Sequence, residues 1–171
     1  KARLRTFAVM AVLLVAAGVV FSMVEMDRLR MASGVFRYGA FVDPKATEVK
    51  YYQDGKTATI SVLDAKGMRT IRTNGKPDAG VAMAGDRKAA QDEGTMFLAA
   101  ALPLAMKPQS TEVANIGFGS GLTTHLLLGS PRLKVVDSIE IEPAMIEGAK
   151  WFAPRNDRAY KDPRSKLHIE D

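Results

Sequence analysis

The feature that most constrains the fold is a glycine-rich turn between two apolar segments. Val113–Ile116 is a short apolar run typical of a buried strand, and Leu122–Leu128 continues with helical spacing. The turn between them contains Gly117, Gly119, Ser120 and Gly121. Glycines here permit a tight turn and the close approach of a ligand to the backbone. The pattern predicts the first strand–turn–helix unit of a Rossmann-like α/β domain, although an ordinary strand-to-helix turn would leave the same glycines.

A second apolar strand, Val135–Ile141, contains an acid close to its end. An acid about 20 residues beyond such glycines can accept hydrogen bonds from both hydroxyls of a ribose. We therefore expect Glu140, with Ile141 beside it, to contact a nucleoside, while a solvated strand-end acid is the alternative. Leu122 stands where a dinucleotide-binding turn would need another glycine, so the spacing favours an S-adenosylmethionine-type nucleoside.

A third strand, Lys166–Ile169, is followed by two acids. Asp171, the second of them, is a candidate acceptor for the exocyclic amine of adenine. The chain begins at Lys1 and stops just after this strand, and a sheet ending there would leave an open edge. We therefore expect the sequence to be a fragment of a longer protein.

The central part of the chain predicts a small antiparallel β-domain over residues 49–84. Thr57–Leu63 alternates apolar and polar residues, and Met68–Thr73 returns as a second strand. Asp54-Gly55 and Asn74-Gly75 are turn signals. The Rossmann-like domain is then expected over residues 85–171, and it opens with a helix at Asp92–Met106.

The N-terminal segment Phe7–Val24 contains no charged residue and has nearly the length that spans a bilayer. A transmembrane helix is the preferred interpretation, over residues 1–25 with its flanks. A linker follows over residues 26–48, and its residues 26–45 are expected to have little regular structure. A signal peptide and a buried core helix are the alternatives. Basic residues flank both ends, so the charge distribution leaves the orientation open.

Composition excludes several classes of function. The net charge is +5, but the basic residues are scattered among acids, and no nucleic-acid-binding motif is found. The chain contains no cysteine, which excludes disulfides and thiolate metal sites. We expect no metal cofactor and no nucleic-acid partner.

From Tyr51 to Asp171 the sequence resembles the spermidine synthase (polyamine aminopropyltransferase) family, especially the bacterial form fused behind membrane helices. The matching pieces are Gly55-Lys56-Thr57-Ala58-Thr59-Ile60-Ser61-Val62, Asn74-Gly75-Lys76-Pro77, Leu102-Pro103-Leu104, Ile116 to Leu122, Glu140-Ile141-Glu142-Pro143 and Asp162-Pro163-Arg164. Ser33-Gly34-Val35-Phe36-Arg37-Tyr38 also resembles the linker of the fused members.

The resemblance implies an antiparallel β-domain followed by a Rossmann-like, methyltransferase-type domain. It implies decarboxylated S-adenosylmethionine as co-substrate and an amine such as putrescine as acceptor. Glu140 matches the ribose-binding acid and Asp171 the adenine-binding acid, while the glycines match the loop that faces the methionine-derived part of the donor. The catalytic acid of the family would follow Asp171, so no catalytic residue is named, and the fragment alone is expected to be inactive.

Three departures from the family pattern leave the acceptor open. Ser120 stands where an Asp is usual, Asp78 replaces a Gln, and the polyamine-holding Tyr-His-Glu run is absent at residues 96–98. An S-adenosylmethionine-dependent methyltransferase and a membrane-tethered nucleoside-binding module without transfer activity are the alternatives. We expect the globular part to face the cytoplasm from the inner membrane, and a homodimer remains open.

Overall fold

The computed structural model describes residues 2–23, 26–85 and 88–170, with side chains from residue 5 onward. The helices are α1 Ala2–Met23, α2 Arg28–Met31, α3 Val35–Tyr38, α4 Gln91–Met106, α5 Leu122–Leu127, α6 Pro143–Ala149 and α7 Asp157–Lys161, and a 3₁₀ turn, Lys150–Phe152, extends α6. The strands are β1 Glu48–Asp54, β2 Thr59–Ala65, β3 Met68–Thr73, β4 Lys76–Ala82, β5 Glu112–Ile116, β6 Val135–Glu140 and β7 Ser165–Ile169.

The first four strands form an antiparallel sheet in the order β1-β2-β3-β4. Two-residue turns close the hairpins at Lys66-Gly67 and Asn74-Gly75. All four turn residues have positive φ, as a type I′ turn requires, and this turn matches the twist of the strands it joins. The predicted antiparallel meander is thus confirmed.

The remaining three strands form a parallel sheet in the order β5-β6-β7. Helix α5 connects β5 to β6, and α6 and α7 lie between β6 and β7 in the chain. This alternation is the Rossmann-like arrangement predicted from the glycine turn, and each of the three predicted strands is present. Since parallel strands end at the same edge, the glycine turn after β5 and Glu140 at the end of β6 lie side by side.

The two sheets contribute to one hydrophobic core. From the antiparallel sheet it contains Ile60, Val62, Ile71 and Val81, and from the α/β part Phe118, Leu122, Met145, Ile146 and Phe152. Helix α6 lies between them, so closely that a Cβ on Gly148 would come within 3.1 Å of the Tyr51 ring. A smaller cluster packs α4 against α5 and β6. The cleft described below opens at the seam of these two parts.

Helix α1 is the one helix in the described ranges that is long and apolar enough to cross a membrane. Arg5–Met23 has a mean hydropathy of 2.4, and none of this stretch is buried within the structure. The predicted span reached Val24, which lies outside the described residues. A signal sequence close to an N-terminus has the same length and composition.

The region predicted as a linker with little regular structure contains two single helical turns, α2 and α3. Asp27 caps α2, because its carboxylate accepts hydrogen bonds from the backbone N–H groups of Leu29 and Arg30. Between the two turns, Ala32 and Ser33 are buried. The segment is therefore packed onto the antiparallel sheet.

Candidate functional site

The glycine turn adopts a backbone that favours glycine at each of its three positions. Gly117, Gly119 and Gly121 have φ of +84°, +55° and +75°. The backbone N–H of Gly117 still donates to Ile139 of β6, so the turn leaves the sheet without breaking the pairing. A side chain at Gly121 would also collide with the ring of Phe118, 2.8 Å from its Cβ position. The backbone conformation of the turn and its packing against Phe118 therefore account for the glycines in this part of the sequence.

Glu140 ends β6 beside this turn, and the residue is buried, with 7% of its surface exposed. Oε2 accepts a hydrogen bond from the backbone N–H of Phe118 at 2.9 Å, and Oε1 accepts one from the backbone N–H of Glu142 at 3.1 Å. A carboxylate has about four acceptor positions, so two protein bonds leave capacity for two more. Glu140 therefore both anchors the turn and retains acceptors for a ligand.

Glu140 and the turn border a cleft of about 490 Å³. Its walls are formed by Thr73, Asp78, Ala79, Thr95, Met96, Ala99, Asn115, Ile116, Gly117, Phe118, Gly119, Ser120, Thr123, Glu140 and Met145. This volume lies in the range of small-molecule sites. The charged side chains of this lining are Asp78 and Glu140, both acids, so the cleft favours a cationic or neutral ligand over a phosphate.

Ser120 is buried within the turn. Its hydroxyl donates to the sulfur of Met96 at 3.2 Å, and its backbone carbonyl accepts a hydrogen bond from Asn156 Nδ2 at 2.8 Å. Asn156 also donates to the carbonyl of Ala149 at 2.7 Å. These bonds fix the turn to α4 and to the end of α6. Nothing in the local sequence distinguished Asn156 from an ordinary loop asparagine.

Glu142 is the most highly connected acid near the site, and sequence reasoning missed its role. Its Oε2 accepts from the N–H of Thr57 at 2.6 Å, from the Thr57 hydroxyl at 2.8 Å and from the N–H of Ala58 at 3.2 Å. Its Oε1 accepts from the N–H of Ala144 at 3.0 Å and so caps α6. Pro143 stands at the first position of α6, where proline is typical of a helix start, but the contact to Thr57, 85 residues away, had no local signal.

These bonds control the ionisation of Glu142. Burial of the carboxyl group would raise its pKa, but the hydrogen bonds from Thr57, Ala144 and Ala58 stabilise the anion and lower its pKa to about 2. Glu142 is therefore ionised at neutral pH and joins the β1–β2 connection to helix α6. It holds the seam beneath the cleft, whereas Glu140 faces into it.

The predicted site residues are not all brought to the cleft. Gly117, Gly119, Ser120 and Glu140 line it. Gly121 begins α5 behind the turn, and Ile141 follows β6 with a partly exposed side chain. Asp171 lies outside the described residues. Among the residues that the structure does describe, no group of three His, Asp or Glu side chains is placed to hold a metal ion.

The positions that depart from the family pattern divide between the cleft and the outer surface, and Ser120, in the glycine turn, is among those that line the cleft. Asp78 of β4 and Met96 of α4 both border the cleft. Phe97 and Leu98 are exposed and are not part of its lining. Helix α4 thus contributes Thr95, Met96 and Ala99 to the lining, and Asp78 of β4 adds a negative charge to the cleft.

Comparison with known proteins finds one family to which the part of the chain around this site is similar. Residues 97–171 match the model of the spermine/spermidine synthase domain. Over 70 residues the chain is 34% identical to spermidine synthase 2 of Hyoscyamus niger, and the match covers 41% of this chain and 23% of that protein. The chain thus spans about a quarter of the length of the curated relatives it matches.

Solved structures agree with the fold over a longer stretch. The spermidine synthase of Thermotoga maritima superimposes with a TM-score of 0.61 and 18% identity over 72% of this chain and 40% of that one. A spermidine synthase in complex with the transition-state analogue AdoDATO gives the same TM-score and identity, over 72% of this chain and 41% of that one. The glycine turn and Glu140 both fall inside the range matched by the domain model, so the site lies in the part of the chain that is similar to spermidine synthases.

Proposed function

We propose that this chain supplies the donor-binding half of an aminopropyltransferase that uses decarboxylated S-adenosylmethionine. The observation that carries the proposal is the position of Glu140 and the glycine turn on the same cleft of about 490 Å³. Glu140 accepts hydrogen bonds from the two ribose hydroxyls through its remaining acceptor positions. Asp171 accepts a hydrogen bond from the adenine amine, and Ile141 contacts the nucleoside beside Glu140.

The charge of the cleft supports this donor over a dinucleotide. A sulfonium nucleoside carrying an amine is cationic, whereas a dinucleotide carries two phosphates. The acids Asp78 and Glu140 favour the cation. Lys76 lies 3.5 Å from Asp78 on the exposed side and reduces its charge only in part, since both side chains remain accessible to water. The turn at Gly117, Gly119, Ser120 and Gly121 then faces the chain attached to the sulfonium.

The reaction needs little from this half of the enzyme beyond binding and orientation. A neutral acceptor amine bonds to the carbon beside the sulfonium, the carbon–sulfur bond breaks, and sulfur keeps the electron pair as a neutral thioether. The amine gives its extra proton to a base, which the family resemblance expects beyond Asp171. Holding the donor so that this carbon faces the acceptor is the contribution of the cleft.

The acceptor is proposed to be a small aliphatic amine such as putrescine. The apolar wall formed by Met96 and Ala99 suits a methylene chain, and Asp78 suits a terminal ammonium group. The aromatic and polar residues expected there in the family are absent, so we propose a looser selection among diamines than a dedicated polyamine pocket gives.

Calorimetry on the full protein that carries this chain tests the donor. Decarboxylated S-adenosylmethionine is expected to bind more tightly than S-adenosylmethionine, because the extra carboxylate of the latter enters an acidic cleft. Incubation with putrescine should then yield spermidine and methylthioadenosine. Tighter binding of S-adenosylmethionine, with methyl transfer in place of aminopropyl transfer, would overturn the proposal in favour of a methyltransferase. Binding without transfer of either group would favour a nucleoside-binding module.

We further propose that α1 anchors the chain in the inner membrane with the globular part in the cytoplasm. The apolar, unburied stretch Arg5–Met23 supports anchoring, and the supply of adenosyl donors in the cytoplasm motivates the orientation. Alkaline washing of membranes should leave the complete chain in the pellet and release a variant lacking residues 1–24. Release of the complete chain would contradict anchoring, and periplasmic activity of a reporter fused after Asp171 would contradict the orientation.

A further inference from the structure

Residues 26–42, which we call the interfacial segment, begin three positions after the end of α1 and expose a dense set of large apolar side chains. They are Met26, Met31, Val35, Phe36, Tyr38 and Phe41. Phe36 is 76% exposed, more than most large side chains of a folded surface. Single exposed apolar residues are ordinary, but a cluster of this density indicates a surface that contacts something other than water.

The exposure does not come from loose packing of the segment. Its opposite side is buried, with Ala32 and Ser33 each 1% exposed. Arg72 Nη1 of β3 donates to the carbonyl of Ala32 at 3.2 Å, and the Ser33 hydroxyl accepts a hydrogen bond from the N–H of Val42 at 3.2 Å. The segment is therefore fixed to the antiparallel sheet, and its aromatic residues point outward from an ordered base.

The backbone contact beneath the segment is especially close. A Cβ on Gly34 would lie 2.3 Å from the carbonyl oxygen of Gly75, in the β3–β4 turn. Gly34 also has φ of +63°, a conformation that other residues adopt at a cost. Two glycines facing each other let the segment lie directly on the turn. The orientation of the segment thus sets the orientation of the antiparallel sheet.

Basic side chains are interleaved with the exposed rings. The Arg30 guanidinium lies 5.5 Å from the centroid of the Phe41 ring, and that of Arg37 lies 5.9 Å from the Tyr38 ring. The interfacial segment contains three Arg and one Asp. Aromatic rings concentrate at the level of lipid headgroups, and basic residues next to a membrane helix are attracted to anionic lipids. The chemistry of the surface matches a negatively charged bilayer.

A groove in the same region fits a lipid headgroup. It has a volume of about 450 Å³ and is lined by Met26, Arg28, Met31, Tyr52, Gln53 and Asp54. The methionines offer apolar contact, while Arg28 offers donors to a phosphate. Asp54 already accepts a hydrogen bond from the Thr59 hydroxyl at 2.7 Å, which engages one of its carboxylate oxygens.

We infer that the interfacial segment rests on the surface of an anionic phospholipid bilayer and holds the antiparallel sheet beside the membrane. The inference rests on the proposed anchoring by α1 and adds a second contact with the same membrane. Phe36, Tyr38 and Phe41 lie among the headgroups, and Arg28, Arg30 and Arg37 contact lipid phosphates. The globular part is consequently held in one orientation instead of moving freely on a tether.

The absence of cysteine makes a site-specific test direct. Single cysteines replacing Val12, Phe36, Phe41 or Gln109 in the complete chain are labelled with a nitroxide, and the chain is reconstituted in phosphatidylcholine vesicles containing phosphatidylglycerol. Collision with oxygen, which partitions into lipid, is compared with collision with a water-soluble nickel complex. Val12 reports on α1, and the exposed Gln109, in the loop after α4, is the aqueous control.

We expect the Val12 label in the hydrocarbon, the Phe36 and Phe41 labels at headgroup depth, and the Gln109 label in water. Nickel collision at residues 36 and 41 as frequent as at residue 109, with residue 12 in lipid, would overturn the inference and leave anchoring intact. A Val12 label in water would overturn both. Phe36 labels shielded from both reagents and coupled magnetically to a neighbouring chain would identify a second copy of the chain as the partner instead.

A charge series tests the lipid preference. Arg28, Arg30 and Arg37 are changed together to Gln, and the matched control changes the exposed Lys107, Lys134 and Lys166 together to Gln. In vesicles with phosphatidylglycerol, the label at residue 36 should lie less deep in the arginine variant than in the unchanged chain. Its depth in the variant should equal the depth of the label in vesicles of phosphatidylcholine alone. The lysine variant should leave it in place. An equal depth for all three proteins in both lipids would overturn the assignment of an anionic surface.

Discussion

The backbone N–H of Phe118 donates a 2.9 Å hydrogen bond to Glu140 Oε2, joining the glycine turn after β5 to the end of β6. The same carboxylate receives the N–H of Glu142 on its other oxygen. Glu140 thus shapes the cleft before any ligand arrives. In the proposed function, its remaining acceptor positions then bind the ribose, so that one side chain couples the geometry of the turn to ligand recognition.

The Glu142→Gln substitution should destabilise the fold. The amide cannot accept at both ends, so either Ala144 or the Thr57–Ala58 backbone faces an N–H₂ group in place of a carboxylate oxygen. We expect a loss of about 1–3 kcal/mol in the free energy of unfolding, measured with urea. Glu147→Gln, on the exposed side of the same helix, is the control and should cost less than about 0.5 kcal/mol. Equal losses in the two variants would contradict the role of Glu142.

Measuring the free energy of unfolding at several acidic pH values separates the contribution of the Glu142 charge from that of its side-chain shape. Its pKa is lowered in the folded protein, from an ordinary 4.5 to about 2, so its contribution to stability is complete above pH 4.5 and is lost as the pH falls towards 2. The difference in unfolding free energy between wild type and Glu142→Gln should therefore shrink across this window. A difference that stays constant with pH would show that the charge contributes nothing.

Gly34 offers a test of the contact with Gly75. Gly34 and Gly39 have nearly the same φ, +63° and +67°, but a Cβ on Gly39 meets nothing within 4 Å. Gly39→Ala should cost only the left-handed backbone, about 1–2 kcal/mol. Gly34→Ala should cost about 1–3 kcal/mol more, because the methyl group meets the Gly75 carbonyl. Thermal unfolding of both variants measures the difference, and similar melting temperatures would argue against a close approach.

Arg164 should stabilise the loop between α5 and β6. Its guanidinium donates to the carbonyls of Leu128, Ser130 and Leu133 at 2.6, 2.8 and 2.9 Å. A lysine cannot reach three carbonyls in a plane, so Arg164→Lys should lower the free energy of unfolding by about 1–3 kcal/mol. Arg132→Lys is the control, because Arg132 is exposed and donates to one carbonyl, that of Pro108. A similar change in both would refute this role.

The sequence predicted the strands and turns because local rules govern them. Alternating apolar residues identified β2. Asn74-Gly75 predicted the β3–β4 hairpin turn because the preference of Asn-Gly for a type I′ turn is local. The glycine turn and Glu140 were likewise predictable, since their spacing reflects a local unit. The domain limits at residues 25, 48 and 84 stay predictions, and the shared core shows how closely the last two parts are joined.

The missed features depend on contacts between distant parts of the chain. The sequence around Glu142 does not predict its hydrogen bonds with Thr57. The sequence around Gly34 likewise does not predict its close approach to Gly75. Residues 26–45 were expected to have little regular structure because they contain Gly34, Gly39 and Pro44, whereas the burial of Ala32 and Ser33 against the sheet orders them. Such burial results from tertiary contacts between distant segments, and these contacts cannot be predicted from the composition of the segment itself.

Calorimetric titration of the full protein with decarboxylated S-adenosylmethionine tests the central claim, that Glu140 binds the ribose. Glu140→Gln removes the charge and one acceptor, and the predicted result is at least about tenfold weaker binding, near 1.4 kcal/mol. Glu142→Gln, titrated at a temperature where every variant is folded, should keep the affinity of wild type although it is less stable. Wild-type affinity in Glu140→Gln, or a greater loss of affinity in Glu142→Gln, would contradict the account.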